Sequence, residues 1–266
     1  MILMSEVIVV TSGKGGVGKT TLTANIGAGI SALGFKTVLI DLDIGLRNLD
    51  AVMGLENRIT YHLMDIIEGN CRINQAFIKD KYYKNLYLIP SSQKHSAKDL
   101  LPDQFHALLE LLRKEFDYII IDSPAGIEHG FHNAIFFADR AVVVTTPDIS
   151  SVRDADKVIR IMKQNDLSQI HLVINKIIPE MIYYGDMLSP NDISEILNQK
   201  ISGVIPNHKE VMISYNQGTH LIHKENDISK AFMNLCGRIT GDDIPITDFN
   251  KKVRIFTKLS YKFYKK

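Results

Sequence analysis

The chain has 266 residues, of which 45% are hydrophobic, so we expect one large domain with a substantial core. It has no uncharged apolar run of the roughly eighteen residues that span a bilayer, and its first apolar stretch is too short for a signal peptide. The formal net charge is +1, but residues 249–266 carry seven lysines and arginines and no acid, which leaves −6 for the rest. An acidic body disfavours general binding to nucleic acid.

The predicted elements alternate between short apolar strands and longer helices. The predicted strands are Glu6–Val10, Thr37–Asp41, Leu86–Ile89, Tyr118–Asp122, Ala141–Thr145, Ile170–Asn175 and Gly203–Ile205. The predicted helices are Lys19–Leu33, Gln104–Glu115, the stretch after Glu128, Ser151–Asn165, Asp192–Asn198 and Ile228–Arg238. This alternation predicts an α/β fold with a mainly parallel twisted sheet, helices on both faces, and ligands at the carboxyl ends of the strands.

The predicted domain covers residues 1–240. A polar stretch that contains Gly241 and Pro245 predicts a linker over residues 241–248, before a separate terminal segment, residues 249–266.

The first loop reads "GKGGVGKTT" and lies between a predicted strand and a predicted helix. It matches the pattern GxxxxGK[ST], and this structural context makes the match specific for phosphate binding. Glycines allow backbone N–H groups to converge on an anion at a helix N-terminus, whose dipole also favours negative charge. We expect Lys19 to reach the β- and γ-phosphates of ATP and Thr20 to hold Mg²⁺. The expected nucleotide-binding residues are Gly13, Gly15, Gly16, Val17, Gly18, Lys19, Thr20 and Thr21.

Lys14 is a second lysine in this loop and has two possible explanations. A loop that wraps phosphate with its own amides points its early side chains outward, so Lys14 is either a solvated surface lysine or reaches the phosphates of a second subunit. In the second case, bound ATP is part of a dimer interface and nucleotide state controls dimerisation.

The loop resembles the deviant Walker A loop of the MinD/ParA family of ATPases, in which the extra lysine is the defining residue. The stretches "DLDIGLRNLD" (Asp41–Asp50), "IDSPAGIE" (Ile121–Glu128), "SSVRDADK" (Ser150–Lys157) and "GDMLS" (Gly185–Ser189) resemble the MinD branch of that family. The resemblance runs from about Glu6 to the end of the chain. It implies a P-loop ATPase that uses ATP and Mg²⁺ and forms a homodimer when ATP is bound.

The resemblance also implies roles for particular residues. Asp43, in a switch I segment, positions the attacking water, with Lys14 and Lys19 also in the catalytic set. Asp122 is a Walker B-like carboxylate that holds Mg²⁺ through water, and Ser123–Gly126 form switch II. Separate residues for positioning the water and for holding the metal suit phosphoryl transfer, which depends on positioning and charge neutralisation.

Further residues match family positions that contact the base or a partner. Asn48 and Asp154 couple nucleotide state to the dimer and partner surface, although an acid in the first turn of a helix is a simpler explanation for Asp154. Asn175 reads the adenine edge, and a loop that begins at Pro206 closes over the other side. Asn207 and His208 depart from the acidic residues common in the family.

Cysteines and histidines give no sign of a metal centre. Cys71 and Cys236 are far apart without a CxxC partner, which fits a reducing compartment and argues against a disulfide or an iron–sulfur site. His129 and His132 lack a nearby thiol or third imidazole, so we interpret them as surface or interface residues of a helix.

The terminal segment predicts an amphipathic helix that binds a membrane surface. At 100° per residue, the cations Arg254, Lys258, Lys262 and Lys265 lie opposite an apolar sector. A core helix would seldom carry seven cations without an acid, whereas anionic lipid favours this pattern. The apolar sector contains Phe249, Val253, Ile255, Phe256, Leu259, Phe263 and Tyr264.

Together, these features predict a membrane-associated ATPase switch for division-site placement. The resemblance implies a MinC-like inhibitor and a MinE-like activator as partners. It also implies peripheral binding at the cytoplasmic face of the inner or plasma membrane, or at the inner envelope of a plastid. The alternatives are a ParA-like ATPase that partitions DNA, which the acidic body and lipid-type tail disfavour, and a non-enzymatic scaffold.

Overall fold

The structure is a computed structural model that describes residues 5–246. The predicted membrane segment and the last two residues of the predicted linker lie outside this range. The first six linker residues, 241–246, lie against the domain, since the Arg238 guanidinium donates to the carbonyl oxygens of Ile244 and Pro245, both at 2.7 Å.

The described chain contains one eight-stranded sheet with the order β3-β4-β2-β5-β1-β6-β7-β8. All neighbouring strands run parallel except β3 and β4. The strands are β1 (Glu6–Thr11), β2 (Thr37–Asp41), β3 (Ile78–Lys79), β4 (Leu86–Ile89), β5 (Tyr118–Asp122), β6 (Arg140–Thr145), β7 (Ile170–Ile177) and β8 (Ile201–Pro206). The chain order reverses on the two sides of β1, which places a crevice at the carboxyl end of this strand.

Ten α-helices connect or follow the strands in the described residues. They are α1 (Lys19–Ala32), α2 (Leu49–Val52), α3 (Leu63–Ile67), α4 (Pro102–Leu112), α5 (His129–Phe136), α6 (Ile149–Gln164), α7 (Pro179–Tyr184), α8 (Pro190–Leu197), α9 (Lys209–Gln217) and α10 (Asp227–Ile239). Side chains of the central strands alternate between two apolar clusters, one on each face of the sheet. Helices α4, α5, α6 and α8 cover one face, and α1 and α10 cover the other.

The α/β fold predicted from the sequence is confirmed, with most element ends within two residues of their predicted positions. The pattern missed β3, α2, α3, α7 and α9, which are short or weakly buried. Strand β7 continues two residues beyond its predicted end at Asn175. The apolar pattern did not predict these two residues because the polar Lys176 interrupts it. No helix in residues 5–246 combines the length and the apolar character needed to cross a bilayer.

Candidate active site

A cavity of about 530 Å³ lies where β1 and β2 end and α1 begins. Its wall includes the loop before α1, the segment after β2, the ends of β7 and β8, and residues of α9 and α10. Because the sheet is parallel, the carboxyl ends of its strands meet at this edge. The cavity therefore lies where the sequence predicts nucleotide binding.

The loop before α1 depends on glycine at two kinds of position. Gly16 and Gly18 have φ angles of 78° and 94°, a region that is costly for residues with a Cβ atom. Gly13 instead permits close packing, since a Cβ atom there would lie 2.3 Å from the backbone oxygen of Asp154. The loop thus rests directly on α6, and Gly18 leads into α1 by accepting a hydrogen bond from the Leu22 amide at 3.0 Å.

A buried ion pair lies beside the loop. Lys19 Nζ is 3.4 Å from Asp122 Oδ1, and the two side chains are 8% and 1% exposed. Thr23 Oγ1 donates to the same carboxylate oxygen at 2.9 Å. The other oxygen, Asp122 Oδ2, is buried and has no hydrogen-bond partner among the described residues. A buried carboxylate oxygen without a partner is costly, so this site suits a cation or a bound water.

Asp41 and Asp43 have different surroundings, because β2 ends at Asp41 and Asp43 lies in the segment after it. The Asp41 carboxylate is fully buried and accepts backbone hydrogen bonds from Asp43, Asn48 and Leu49 at 3.0, 3.1 and 3.2 Å. Burial, together with the charge of Asp122, raises the pKa of Asp41 to about 7. Asp41 therefore fixes the start of α2 and the segment before it.

Asp43 lines the cavity. Burial raises the pKa of its carboxyl above the ordinary value; the Lys19 charge opposes this effect, and the Asp122 charge adds to it. A raised pKa makes a carboxylate a better proton acceptor near neutral pH. Asn48, also on the cavity wall, is exposed at the start of α2.

Lys14 points out of the loop and lies on the wall of both this cavity and a neighbouring one of about 400 Å³. Its ammonium is 3.6 Å from Asp148 Oδ1 and 3.4 Å from Ser150 Oγ, and the side chains of Lys14 and Asp148 are 45% and 49% exposed. Lys14 is thus half-exposed and paired within its own chain, an arrangement that neither sequence explanation included.

The segment predicted as switch II and Asp154 both lie against the loop region. The Gly126 amide donates to the Ser12 carbonyl at 3.0 Å, and the Ser123 amide donates to Val10 at 3.1 Å. Asp154 is the sixth residue of α6, and the first turn of that helix has no acid, so the explanation of Asp154 as a first-turn acid is wrong. Its carboxylate is 3.1 Å from the Lys157 ammonium.

Asn175 and Lys176 contact the loop at consecutive carbonyls. Asn175 Nδ2 donates to the Val17 carbonyl at 2.8 Å, and Lys176 Nζ donates to the Gly16 carbonyl at 2.7 Å. Asn175 was predicted to read adenine, and it lines the cavity with its amide directed to the loop. Sequence reasoning missed Lys176, although its position directly after Asn175 at the end of a strand is the signal that could have identified it.

The opposite side of the cavity includes Pro206, where the sequence predicts a loop over the base, and continues into α9, which was not predicted. Val211 and Tyr215 of α9 line the cavity together with Phe232 of α10. Val211 and Tyr215 are four residues apart and share one helix face, which is a weak signal for this helix. His208 caps α9 by accepting from the Glu210 amide at 3.2 Å.

Comparisons with known proteins agree with this geometry. Residues 5–175 match a family model described as an AAA domain. The chain is 47% identical over 248 residues to the septum site-determining protein MinD of Synechocystis, covering 92% of this chain and 93% of that protein. It matches a chain of the MinC:MinD cell division protein complex of Aquifex aeolicus with 42% identity and a TM-score of 0.86, covering 92% and 99% of the two chains. It also matches MinD of Pyrococcus horikoshii, solved with Mg-ADP, with 26% identity and a TM-score of 0.80, covering 90% and 97%.

The parallel sheet, the glycine-rich loop and the buried Lys19–Asp122 pair define a P-loop nucleoside triphosphatase. The chain belongs to the MinD family of septum site-determining proteins, whose members are P-loop ATPases of cell division. The family resemblance predicted from the sequence is confirmed.

Proposed function

We propose that this chain is an Mg²⁺-dependent ATPase that dimerises with ATP bound and thereby controls residence on a membrane at the division site. The observation that carries the proposal is the buried Lys19–Asp122 pair at the loop, with one Asp122 oxygen left unpartnered among the described residues. In this proposal Lys19 leaves Asp122 to contact the β- and γ-phosphates. The relative from Pyrococcus horikoshii solved with Mg-ADP supports the choice of nucleotide and metal.

The donor set of the site fits Mg²⁺. Thr20, at the first turn of α1, supplies a hydroxyl oxygen, and Asp122 supplies the unpartnered carboxylate oxygen behind it. Bound Mg²⁺ would neutralise charge on the phosphate oxygens. Asp122 would hold the metal through a water molecule, while the loop amides of residues 13–21 hold the phosphates.

Asp43 is the residue that we assign to orient the attacking water. It lies on the cavity wall, and burial raises the pKa of its carboxyl. A hydrogen-bond acceptor of increased basicity is suited to hold a water molecule and to accept its proton. Asn175 and the loop from Pro206, which leads into α9, would contact the base from two sides of the cavity.

Lys14 is the residue that we assign to dimerisation. Its present partner, Asp148, forms an exposed ion pair, and such pairs contribute about 1 kcal/mol or less. Breaking this pair so that Lys14 can contact the triphosphate of a second subunit therefore costs little free energy. Asn48 and Asp154 would transmit the nucleotide state to the dimer and partner surface, since Asn48 lines the cavity and Asp154 contacts the loop at Gly13.

Membrane binding is assigned to residues 249–266, which follow an ATPase domain of residues 1–240 and a linker of residues 241–248. The segment carries seven cations and no acid. One such segment binds anionic lipid weakly, and dimerisation joins two of them into a bivalent anchor, which raises avidity by roughly a hundredfold or more. The protein would cycle between the cytoplasm and a membrane, peripherally bound.

The partners proposed for the ATP-bound dimer are an inhibitor like MinC and an activator like MinE. The similar structure from Aquifex aeolicus, a complex of MinC with MinD, supports the first. A MinE-like activator rests on the family resemblance.

Hydrolysis is tested by measuring phosphate release with and without Mg²⁺ for the wild type, Lys19→Ala and Asp43→Ala. We expect both variants to lose most activity, with Lys19→Ala also losing affinity for ATP. Equal rates for all three proteins would refute the catalytic assignment.

Membrane binding is tested by sedimentation with anionic and neutral vesicles, using the full chain and a chain that ends at Asp248. We expect strong sedimentation only for the full chain with ATP and anionic lipid. Salt-sensitive binding of the shortened chain to duplex DNA would favour a partitioning ATPase instead.

A further inference from the structure

Lys176 has an unusual backbone conformation next to the nucleotide cavity. Its φ angle is 60°, in the left-handed region that a non-glycine residue adopts only at a cost. The pairing of β7 with β8 is irregular between Ile174 and Ile177, so the strand departs from its ladder at this residue. Lys176 has no short polar side chain to stabilise the conformation locally, unlike asparagine or aspartate. Contacts to another part of the chain must therefore hold it.

Those contacts are to the phosphate loop. Lys176 Nζ donates to the Gly16 carbonyl at 2.7 Å, and the adjacent Asn175 donates to the Val17 carbonyl at 2.8 Å. Asn175 Oδ1 in turn accepts from the Lys176 amide at 2.9 Å, which couples the two residues. Two consecutive side chains at the end of β7 thus bind two consecutive carbonyls of the loop.

The geometry of a peptide unit gives this contact a consequence for phosphate binding. In a planar trans peptide, the C=O and N–H bonds point in opposite directions. The Gly16 carbonyl shares its peptide with the Val17 amide, and the Val17 carbonyl shares its peptide with the Gly18 amide. Donors that hold both carbonyls on the β7 side therefore direct both amides away from β7. Because glycine adopts positive and negative φ with similar ease, a loop with glycines at positive φ can adopt several conformations, and hydrogen bonds to its carbonyls restrict it to one.

We propose that Lys176 is a positioning residue of the phosphate loop: its ammonium holds the Gly16–Val17 peptide so that the Val17 amide is set for phosphate before the nucleotide arrives. This inference rests on the nucleotide site proposed above and adds a residue to it. Lys176 also lies on the cavity wall, but its ammonium donates to a carbonyl of the loop, so we expect its effect to be on the ordering of the loop. Such preorganisation appears mainly in affinity, because a disordered loop must be ordered during binding.

The test compares Lys176→Met, whose side chain is of similar length but has no charge, with Lys176→Arg, whose side chain keeps a charged hydrogen-bond donor. Lys200→Met, an exposed lysine outside both cavities, is the control. We expect Lys176→Met to bind ATP and ADP about tenfold more weakly, equivalent to about 1.4 kcal/mol. Its kcat at saturating ATP should fall by less than about threefold, and Lys176→Arg and Lys200→Met should stay within about twofold of the wild type.

The second readout is the amide chemical shift of Val17 in the protein without nucleotide. We expect Lys176→Met to move this resonance and Lys176→Arg to restore it. Unchanged affinity in Lys176→Met would refute the inference, as would a loss of affinity with an unmoved Val17 resonance, which would mean direct contact with nucleotide. If the wild type binds neither ATP nor ADP, the proposed function itself fails.

Discussion

Replacing Gly13 by alanine tests the contact between the phosphate loop and α6. A Cβ atom at Gly13 would lie 2.3 Å from the carbonyl oxygen of Asp154 and 2.4 Å from its carbonyl carbon. These distances are more than 1 Å shorter than the optimum for non-bonded atoms, roughly 3.5 Å. The obstructing atoms are backbone atoms of a helix, so a rotamer change cannot relieve the clash. We expect a loss of about 1–3 kcal/mol in the free energy of unfolding, the range typical of overpacking.

Gly15→Ala is the matched control. Gly15 lies in the same loop, but a Cβ atom there would have no neighbour within 4 Å. Urea and thermal unfolding of the two variants without nucleotide separate the steric effect from any effect on phosphate binding. For a domain of this size, each kcal/mol lowers the melting temperature by about 2–4 °C. A Gly13→Ala protein within about 0.5 kcal/mol of both the wild type and Gly15→Ala would show that the loop does not rest on α6 as described.

Three further predictions concern buried polar groups. The pKa of Asp41 is about 7 in the folded chain against an ordinary 3.8, so between these pH values the folded chain holds a proton that the unfolded chain has lost. The unfolding free energy of the wild type, relative to Asp41→Asn, should therefore fall as pH rises from about 4 to about 7 in urea titrations. A difference that stays constant over this pH range would contradict the prediction. Thr23→Val removes a donor to Asp122 and should cost about 1–2 kcal/mol of unfolding free energy, whereas an unchanged midpoint would contradict the contact. His220→Ala breaks a buried contact between His220 Nε2 and Asp80 Oδ2, which are 2.8 Å apart. It should lower the unfolding free energy by about 3 kcal/mol in the same assay, and a loss of less than about 1 kcal/mol would contradict the prediction.

The strength of the Lys14–Asp148 ion pair shows whether Lys14 serves mainly to stabilise the fold or is free to take a role in dimerisation. If its exposed pair with Asp148 were strongly stabilising, Lys14→Ala would unfold at a lower urea concentration than the wild type. A pair worth about 1 kcal/mol or less predicts nearly unchanged stability. The proposed role across a dimer predicts instead that Lys14→Ala stays monomeric with a non-hydrolysable ATP analogue, as measured by sedimentation velocity, and a wild-type dimer fraction would refute that role.

The site residues that the sequence could predict are those whose signals are local. Gly13 to Thr21 form one continuous motif, and Asp122 ends a strand of four apolar residues, so spacing along the chain suffices to place them. Lys176 has only a weak local signal, its position directly after Asn175 near the end of β7. It is a polar residue at a left-handed position, and its contact is with Gly16, 160 residues earlier in the chain.

The sequence alone determined the alternating strands and helices, the phosphate loop at the end of the first strand, and the concentration of positive charge after residue 248. Each follows from the types of neighbouring residues and from their period. Only the tertiary structure decided that Lys14 pairs with Asp148, that Asn175 and Lys176 bind two carbonyls of the loop, and that α6 leaves no room for a Cβ atom at Gly13. These contacts join segments far apart in the chain, and they depend on how the sheet brings its strand ends together, which no local pattern encodes.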